Sequence, residues 1–353
     1  MKEDTTGRAM DRRAFLQYGA AGVAAAGWAA MARAEETPRS RVVLLRHANA
    51  ADAEGVGAAP VVREMVHRAV RELSGKDDLA EAWRSFVSPD DIVGLKVNVR
   101  AGNSLSTQMC TVDAIVEGLK AAGVADTNIV VWDAWNREFP AAGYTLNETG
   151  EGVQCYGSDH GAMTQRKRGD QLFARAILKP YYADAPVKVA GKDVWLTKIV
   201  TEKITALINV PILKEHNITG VTIALKNHFG SILNPSDLHD SACDPSIAEL
   251  NAVPAIKDKT RLVLVDALRG CYAEGPYDRQ RKGRFIANTI YATRDPVAAD
   301  TVGMRIIDDQ RRAKDLPPVG DRARHVATAA KLGVGTNDFG RIDLDEIDLT
   351  GTA

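Results

Sequence analysis

Cysteine is scarce in this chain. Cys110, Cys155, Cys243 and Cys271 are its only four, and no two lie close enough to form a C-x-x-C pair. That spacing excludes zinc-ribbon and ferredoxin-type motifs. Neither sign of charge is in excess, with 45 Lys and Arg against 46 Asp and Glu. A balanced chain lacks the basic field that holds nucleic acid, so nucleic acid is not an expected partner. The basic runs at Arg166-Lys167-Arg168 and at 279–284 read as solvated loops. Beyond residue 34 no stretch approaches the ~20 apolar residues of a transmembrane helix, so none is expected in the mature form. Internal repeats and low-complexity segments are absent there too.

The N-terminus carries a targeting signal. Asp11-Arg12-Arg13-Ala14-Phe15-Leu16 is a twin-arginine signature, an Ala/Gly-rich apolar segment runs to Met31, and Ala32-Arg33-Ala34 forms a small-x-small cleavage site. The expectation is a signal peptide at 1–34, export by the twin-arginine translocase, and a periplasmic mature protein from Glu35. The signal holds Lys2, Arg8, Arg12, Arg13 and Arg33 against Glu3, Asp4 and Asp11, which leaves 40 basic and 43 acidic residues. Because this route carries folded proteins out of a reducing cytoplasm, disulfides are not needed to reach the fold. The four cysteines read as small buried hydrophobes, with three pairings open if all took part.

Short β-branched runs at 41–46, 91–99, 128–133, 206–211, 261–267 and 285–293 read as strands, several apolar enough to be buried on both faces. Between them, 61–73, 111–122 and 296–307 space apolar residues three and four apart, as helices do. Strand and helix in alternation predict an α/β fold with a mainly parallel sheet flanked by helices, a single domain over 35–353. Residues 134–195 break the rhythm and read as an insertion or small subdomain.

In open parallel sheets ligands gather beyond the carboxyl ends of the strands, where loops and helix N-termini converge. Polar residues at those ends are Lys96, Asn98, Asp133, Asn209, Lys214, His216 and Asp266. Singly they could be caps, turn residues or ion-pair partners. Together they form a rim of mixed charge, predicted to open on one cleft.

The segments "VGLKVNV", "INVPILKEHNITGVTIALKNHFGSI" and "LVDALRGCYAEGP…RFIANTIYATRDPVAADTVGMRIID" resemble the successive motifs of the family known as domain of unknown function 362, over about 41–333. Several members of that family carry ferredoxin-type cysteine clusters. This chain has none, so no iron–sulfur cluster of its own is expected.

The central block reads as a helix, with Asn217 as N-cap and Gly230 after its end. Ile218, Val221, Leu225 and Phe229 would form its apolar face, and Thr219, Thr222 and Lys226 the other. Its N–H groups and Lys214 would make a cradle for a carboxylate or phosphate. His216, Gly220 and Lys226 also form H-x-x-x-G-x-x-x-x-x-K, similar to the segment with which nickel-pincer lactate racemases supply a histidine and the lysine tethering their cofactor. That resemblance implies a metal-containing cofactor held through Lys226. A straight helix would hold His216 and Lys226 roughly 15 Å apart along its axis, so only a bent segment lets both face one ligand.

The resulting candidates fall into three groups. His216, Lys226 and Asp266 are the catalytic candidates. Lys96, Asn98, Asp133, Lys214 and Asn227 are the cofactor- or ligand-binding candidates. His228, His239 and Cys243 are the metal-ligand candidates, the last two sharing a face if their segment is helical. His47, His67, His160 and His325 read as surface or capping residues. Asp295 reads as the N-cap of a helix that Pro296 opens, with Asp300 one turn in. Two function classes follow. One is an enzyme acting on a small anionic substrate, carrying a metal or preloaded cofactor, with His216 as acid or base near neutral pH. The other is a non-catalytic periplasmic module that holds a ligand or serves a redox partner.

Overall fold

The computed structural model describes residues 39–162, 176–277 and 280–351. The twin-arginine segment and Arg166-Lys167-Arg168 lie outside the described residues. From Ser40 onward the chain clusters as one unit.

The first half of that unit alternates strand and helix as its pattern predicts. β1 (Ser40–Arg46) leads to helices α1 (Ala59–Ser74) and α2 (Leu79–Arg84), and β2 (Val93–Lys96) to α3 (Met109–Ala122). β3 (Ile129–Asp133) and β4 (Gln154–Gly157) follow, then a separate hairpin of β5 (Val187–Val189) and β6 (Lys192–Val194). β7 (Ala206–Asn209), β8 (Ile212–His216) and β9 (Gly220–Thr222) run into the one-turn helix α4 (Ala224–Asn227). Helices α5 (Ser246–Ala252) and α6 (Pro254–Lys257) precede the long strands β10 (Thr260–Cys271) and β11 (Arg284–Thr293). The unit closes with α7 (Pro296–Arg312), α8 (Arg324–Lys331) and β12 (Ile342–Asp348).

The main sheet runs β12-β1-β11-β10-β7-β2-β3-β4, with β8 and β9 joined to it beside β10. The pairs from β10 through β7, β2 and β3 to β4 are parallel, while β11 lies antiparallel between β10 and β1. The expected mainly parallel α/β sheet is therefore present. The stretch 134–195 does not form one detached insertion, since β4 extends the main sheet along β3 and only β5 and β6 stand apart.

Side chains alternate between the two faces of a strand, and each face here has its own core. One core joins Leu95, Ile208 and Leu264 to Val62 and Met65 of α1, Trp83 of α2 and Ile115 of α3. The other joins Trp132, Leu207 and Val265 to Leu225 of α4, Ile247 of α5 and Val297 and Val302 of α7. Burying each such side chain is worth ~1.5–3 kcal/mol, so the two cores fix the sheet between its helix layers. Asp295 caps α7 as predicted, accepting from the Val297 and Ala298 N–H groups. Cys155, Cys243 and Cys271 are buried, and Cys110 is half-buried.

Candidate functional site

β2, β3 and β7 end side by side, with Lys96 in register with Trp132 on one neighbour and Asn209 on the other. Lys96, Asp133 and Asn209 thus close three adjacent parallel strands. Over these ends folds the segment that the pattern reads as one helix, and it is not one. Instead β8 pairs along β10, turns at 217–219, and returns as β9 with His216 opposite Gly220. Gly220 has φ +73, and a Cβ there would lie 2.8 Å from Val319 O, so the hairpin requires glycine. α4 then lays Lys226 and Asn227 across the strand ends. Ile218, predicted on the buried face, sits at the turn and is 40% exposed, whereas Val221, Leu225 and Phe229 are buried.

A continuous hydrogen-bond network joins the strand ends to α4. Lys96 Nζ donates to Asp133 Oδ1 at 2.8 Å, to Val97 O at 2.6 Å and to Asn227 Oδ1 at 3.3 Å. Asp133 Oδ2 accepts from the Val99 N–H at 2.9 Å. Asn227 Nδ2 donates to Lys96 O at 2.9 Å and to Asn209 Oδ1 at 2.8 Å, and Asn227 Oδ1 also accepts from Asn98 Nδ2 at 3.2 Å. Asn98 Oδ1 in turn accepts from Lys214 Nζ at 2.8 Å. Gly230 lies directly over the Lys96–Asp133 pair, where a Cβ would overlap both charged groups. Its role is clearance rather than ending a helix.

Among the described residues two further lysines have no such carboxylate partner. Lys214, 1% exposed, donates there to Asn98 Oδ1 and, at 3.3 Å, to Leu105 O. Lys226, 6% exposed, has its Nζ 3.4 Å from His239 Nε2 and 4.0 Å from the Phe229 ring centroid. Burial, opposed in part by the Asp133 charge, lowers Lys214 to about 7, and burial likewise lowers Lys226 to about 8.

The histidines are locked in complementary tautomers. His216 Nδ1 accepts from the Ile218 N–H at 3.1 Å, so its ring proton sits on Nε2. His239 Nδ1 faces Pro235 O at 2.8 Å and must donate, which leaves Nε2 as an acceptor toward Lys226. The two ring centroids are 6.4 Å apart. Burial and the charge of Lys226 push His216 down to about 2. That shift favours the neutral ring, with its proton on Nε2 as a hydrogen-bond donor, over an imidazolium.

A second layer fixes this arrangement. Asp300 Oδ1 accepts from the Ala224 N–H at 2.7 Å and the Leu225 N–H at 3.3 Å, so it holds the start of α4 from behind. Its Oδ2 lies 3.9 Å from His325 Nε2, and both side chains are fully buried, so of the surface or capping role expected of His325 the surface alternative does not hold. His67, given the same expectation, is also buried, with Nε2 3.0 Å from Ala114 O. Asn251 Nδ2 donates to Leu225 O at 2.7 Å. Arg322 Nη1 pairs with Glu215 Oε1 at 2.6 Å and donates to His216 O at 3.2 Å, which anchors the hairpin. Arg100 Nη1 pairs with Glu138 Oε1 at 2.6 Å, and the guanidinium charge reaches Lys214 and Lys226. Burial raises the Glu138 carboxyl to about 7.

Lys96, Asn98, Asp133, Lys214 and Asn227 thus meet in one network, with His216 and Lys226 beside it. Asp266 does not join them. Strand alternation turns it with Leu264 and Leu268 to the opposite face, where Oδ2 accepts from the Gln108 N–H at 2.7 Å and Thr111 Oγ1 at 3.1 Å at the start of α3. The metal candidates do not assemble either. Nδ2 of Asn209 lies 3.5 Å from His228 Nε2, and His239 faces Lys226 instead. Ser241, Ala242 and Cys243 have positive φ, so no helix brings Cys243 onto the His239 face. Among the described residues no group of three or more His, Cys, Asp or Glu side chains is arranged to hold a metal ion. Asn209, Arg100 and Glu138 complete the site. Asn209 was legible as a strand-end residue, whereas Arg100 in a turn and Glu138 at the end of a single 3-10 turn (Asn136–Glu138) have no motif to mark them.

The model of the family described as Domain of unknown function (DUF362) matches residues 93–305, well over half of the sequence, and the chain belongs to that family. No curated protein matches it.

Proposed function

We propose that this member of the domain of unknown function 362 family is an exported enzyme acting on a small anionic substrate. The observation that carries this reading is the pair of buried lysines, Lys214 and Lys226, with no carboxylate in ion-pair distance among the described residues. A buried ammonium held by neutral oxygens alone is unfavourable, and an anionic ligand supplies the missing countercharge. Lys214, facing Asn98, is the anion contact. Lys96 is already neutralised by Asp133 and orders Asn227 and Asn98 around the ligand. His239 accepts and returns protons at Nε2, and His216 donates a hydrogen bond to the oxygen on which charge develops.

Among the described residues the donor set does not fit a metal ion held by protein side chains alone, since no third donor joins His216 and His239. No step of this mechanism runs through one. A titration of the protein with small carboxylates and phosphate, followed by calorimetry and by proton NMR of the bound anion, tests the reading. Saturable binding that is lost in Lys214→Met, with conversion that is lost in His216→Gln, is expected. Binding with no conversion of any anion would leave a holding module and overturn the enzyme assignment.

Export rests on the Arg12-Arg13 context and cleavage site. Replacing both arginines by lysine retains the precursor in the cytoplasm under this proposal. Mature protein reaching the periplasm of a strain without the twin-arginine translocase would contradict it.

A further inference from the structure

Three lysines converge on this site, and their surroundings assign them different work. Lys96 Nζ is saturated by three acceptors, one of them a carboxylate, and is a fixed cation. Lys214 Nζ is pinned between two carbonyl oxygens deep in the network. Among the described residues Lys226 Nζ meets neither a carboxylate nor a carbonyl; its polar contact there is the lone pair of His239 Nε2 at 3.4 Å, and it lies against the Phe229 ring. An amine next to a proton acceptor and an apolar wall is placed to react rather than to bind charge.

The complementary tautomers supply the rest of the chemistry. His239 offers an acceptor at Nε2 because its Nδ1 is committed to Pro235 O. His216 offers a donor at Nε2 because its Nδ1 is committed to the turn N–H groups of Ile218 and Thr219. The base thus lies beside the Lys226 amine, and the ring that carries the donor is 6.4 Å from the base's ring between centroids; addition to a carbonyl group uses both.

We infer that Lys226 forms a covalent imine with a small carboxylate that also carries a carbonyl group, a 2-oxo acid being the simplest of the class. This deepens the anion-site reading and rests on it, with Lys214 holding the carboxylate while Lys226 attacks the carbonyl carbon. The Lys226 ammonium first gives a proton to His239 Nε2. The free amine then adds to the carbonyl carbon, whose oxygen is polarised by the His216 Nε2–H, and a proton passes from nitrogen to oxygen. His239 returns its proton to the departing hydroxyl, the C–O bond breaks, and water leaves. The protonated imine keeps one of the three ammonium protons and the water carries off the other two with the carbonyl oxygen. Charge and atoms balance, and no oxidant or reductant is consumed.

Trapping with sodium cyanoborohydride and pyruvate on the mature chain, followed by peptide mass mapping, tests the inference. The expected result is one saturable reduced adduct on Lys226, absent from Lys226→Arg. Adducts scattered over exposed lysines without enrichment at Lys226, or an unchanged adduct in Lys226→Arg, overturn it. A parallel trapping with hydroxyacetone, a neutral ketone, separates the two readings. Efficient trapping of both probes on Lys226, unaffected by Lys214→Met, keeps the imine and removes the anion site. Calorimetric pyruvate binding that needs Lys214 but leaves no adduct removes the imine and keeps the anion site.

Discussion

Replacing Lys214 by methionine should stabilise the protein at neutral pH, although it removes a residue assigned to the site. Burial holds the folded-state pKa at about 7, against 10.5 for an unperturbed lysine. Between those values the unfolded chain binds more protons than the folded one, so stability rises with pH through that window. At pH 7 the lowered pKa corresponds to roughly 4 kcal/mol of lost stability, at ~1.36 kcal/mol per unit. Methionine fills a similar volume without the charge, but it orphans Asn98 Oδ1 and Leu105 O, at ~1 kcal/mol each. The net gain is then ~2 kcal/mol at pH 7, and by pH 10, where the wild-type amine is mostly neutral, it becomes a deficit of ~1 kcal/mol. Denaturant titrations of both proteins at the two pH values read this crossover directly. A variant less stable than wild type by one constant margin at both values would show that Lys214 is charge-paired in the fold, and the anion-site reasoning would lose its premise.

Acidification should destabilise the fold through its neutral histidines. Burial takes His216 down to about 2 and His228 to about 3, both below the ordinary 6.5, so the unfolded chain takes up protons that the folded one refuses and stability falls as pH drops from about 6.5. Denaturation midpoints at pH 7, 5 and 4 should decline less steeply in His228→Gln than in wild type, and equal slopes would deny the effect. Asp133→Ala leaves Lys96 buried without its carboxylate and should cost about 3–5 kcal/mol, much of it recovered when Lys96→Met is added. Failure of that double variant to recover stability would place the loss elsewhere. Asp266→Ala should cost about 1–3 kcal/mol by orphaning donors at the start of α3, while anion binding stays intact. Loss of binding without loss of stability would return Asp266 to the site.

The strands were legible because burial on both faces demands long apolar, β-branched runs, and 206–211 and 261–267 carry them. β12 was not, since its sequence IDLDEID carries four charged residues in seven positions along an edge. β4 is only QCYG, too short for any periodicity. The strand-end rule found Lys96, Asn98, Asp133 and Lys214, because it depends only on where apolar runs stop. It failed for Asp266 because it names the end of a strand and not the face. The alternation with Leu264 and Leu268 carries that missing information.

The central block misled for a different reason. Ile218, Val221, Leu225 and Phe229 fall at helical spacing by coincidence, and the signal against a helix is Gly220, which a helix tolerates and a tight hairpin requires. The consequence for chemistry is direct. Along a straight helix His216 and Lys226 would be separated by nearly three turns. The reversal between β8 and β9 folds that length back on itself and sets both residues beside His239. A one-turn helix cannot hold such a position by its own hydrogen bonds. Asp300 and Asn251 grip α4 at Ala224, Leu225 and Leu225 O from one side, and Asn227 ties it to Lys96 and Asn209 on the other. Polar groups buried this densely add little stability over an apolar core and lose much if one partner is missing. Under the proposed function their use lies in holding at fixed positions two amines that have no carboxylate partner among the described residues.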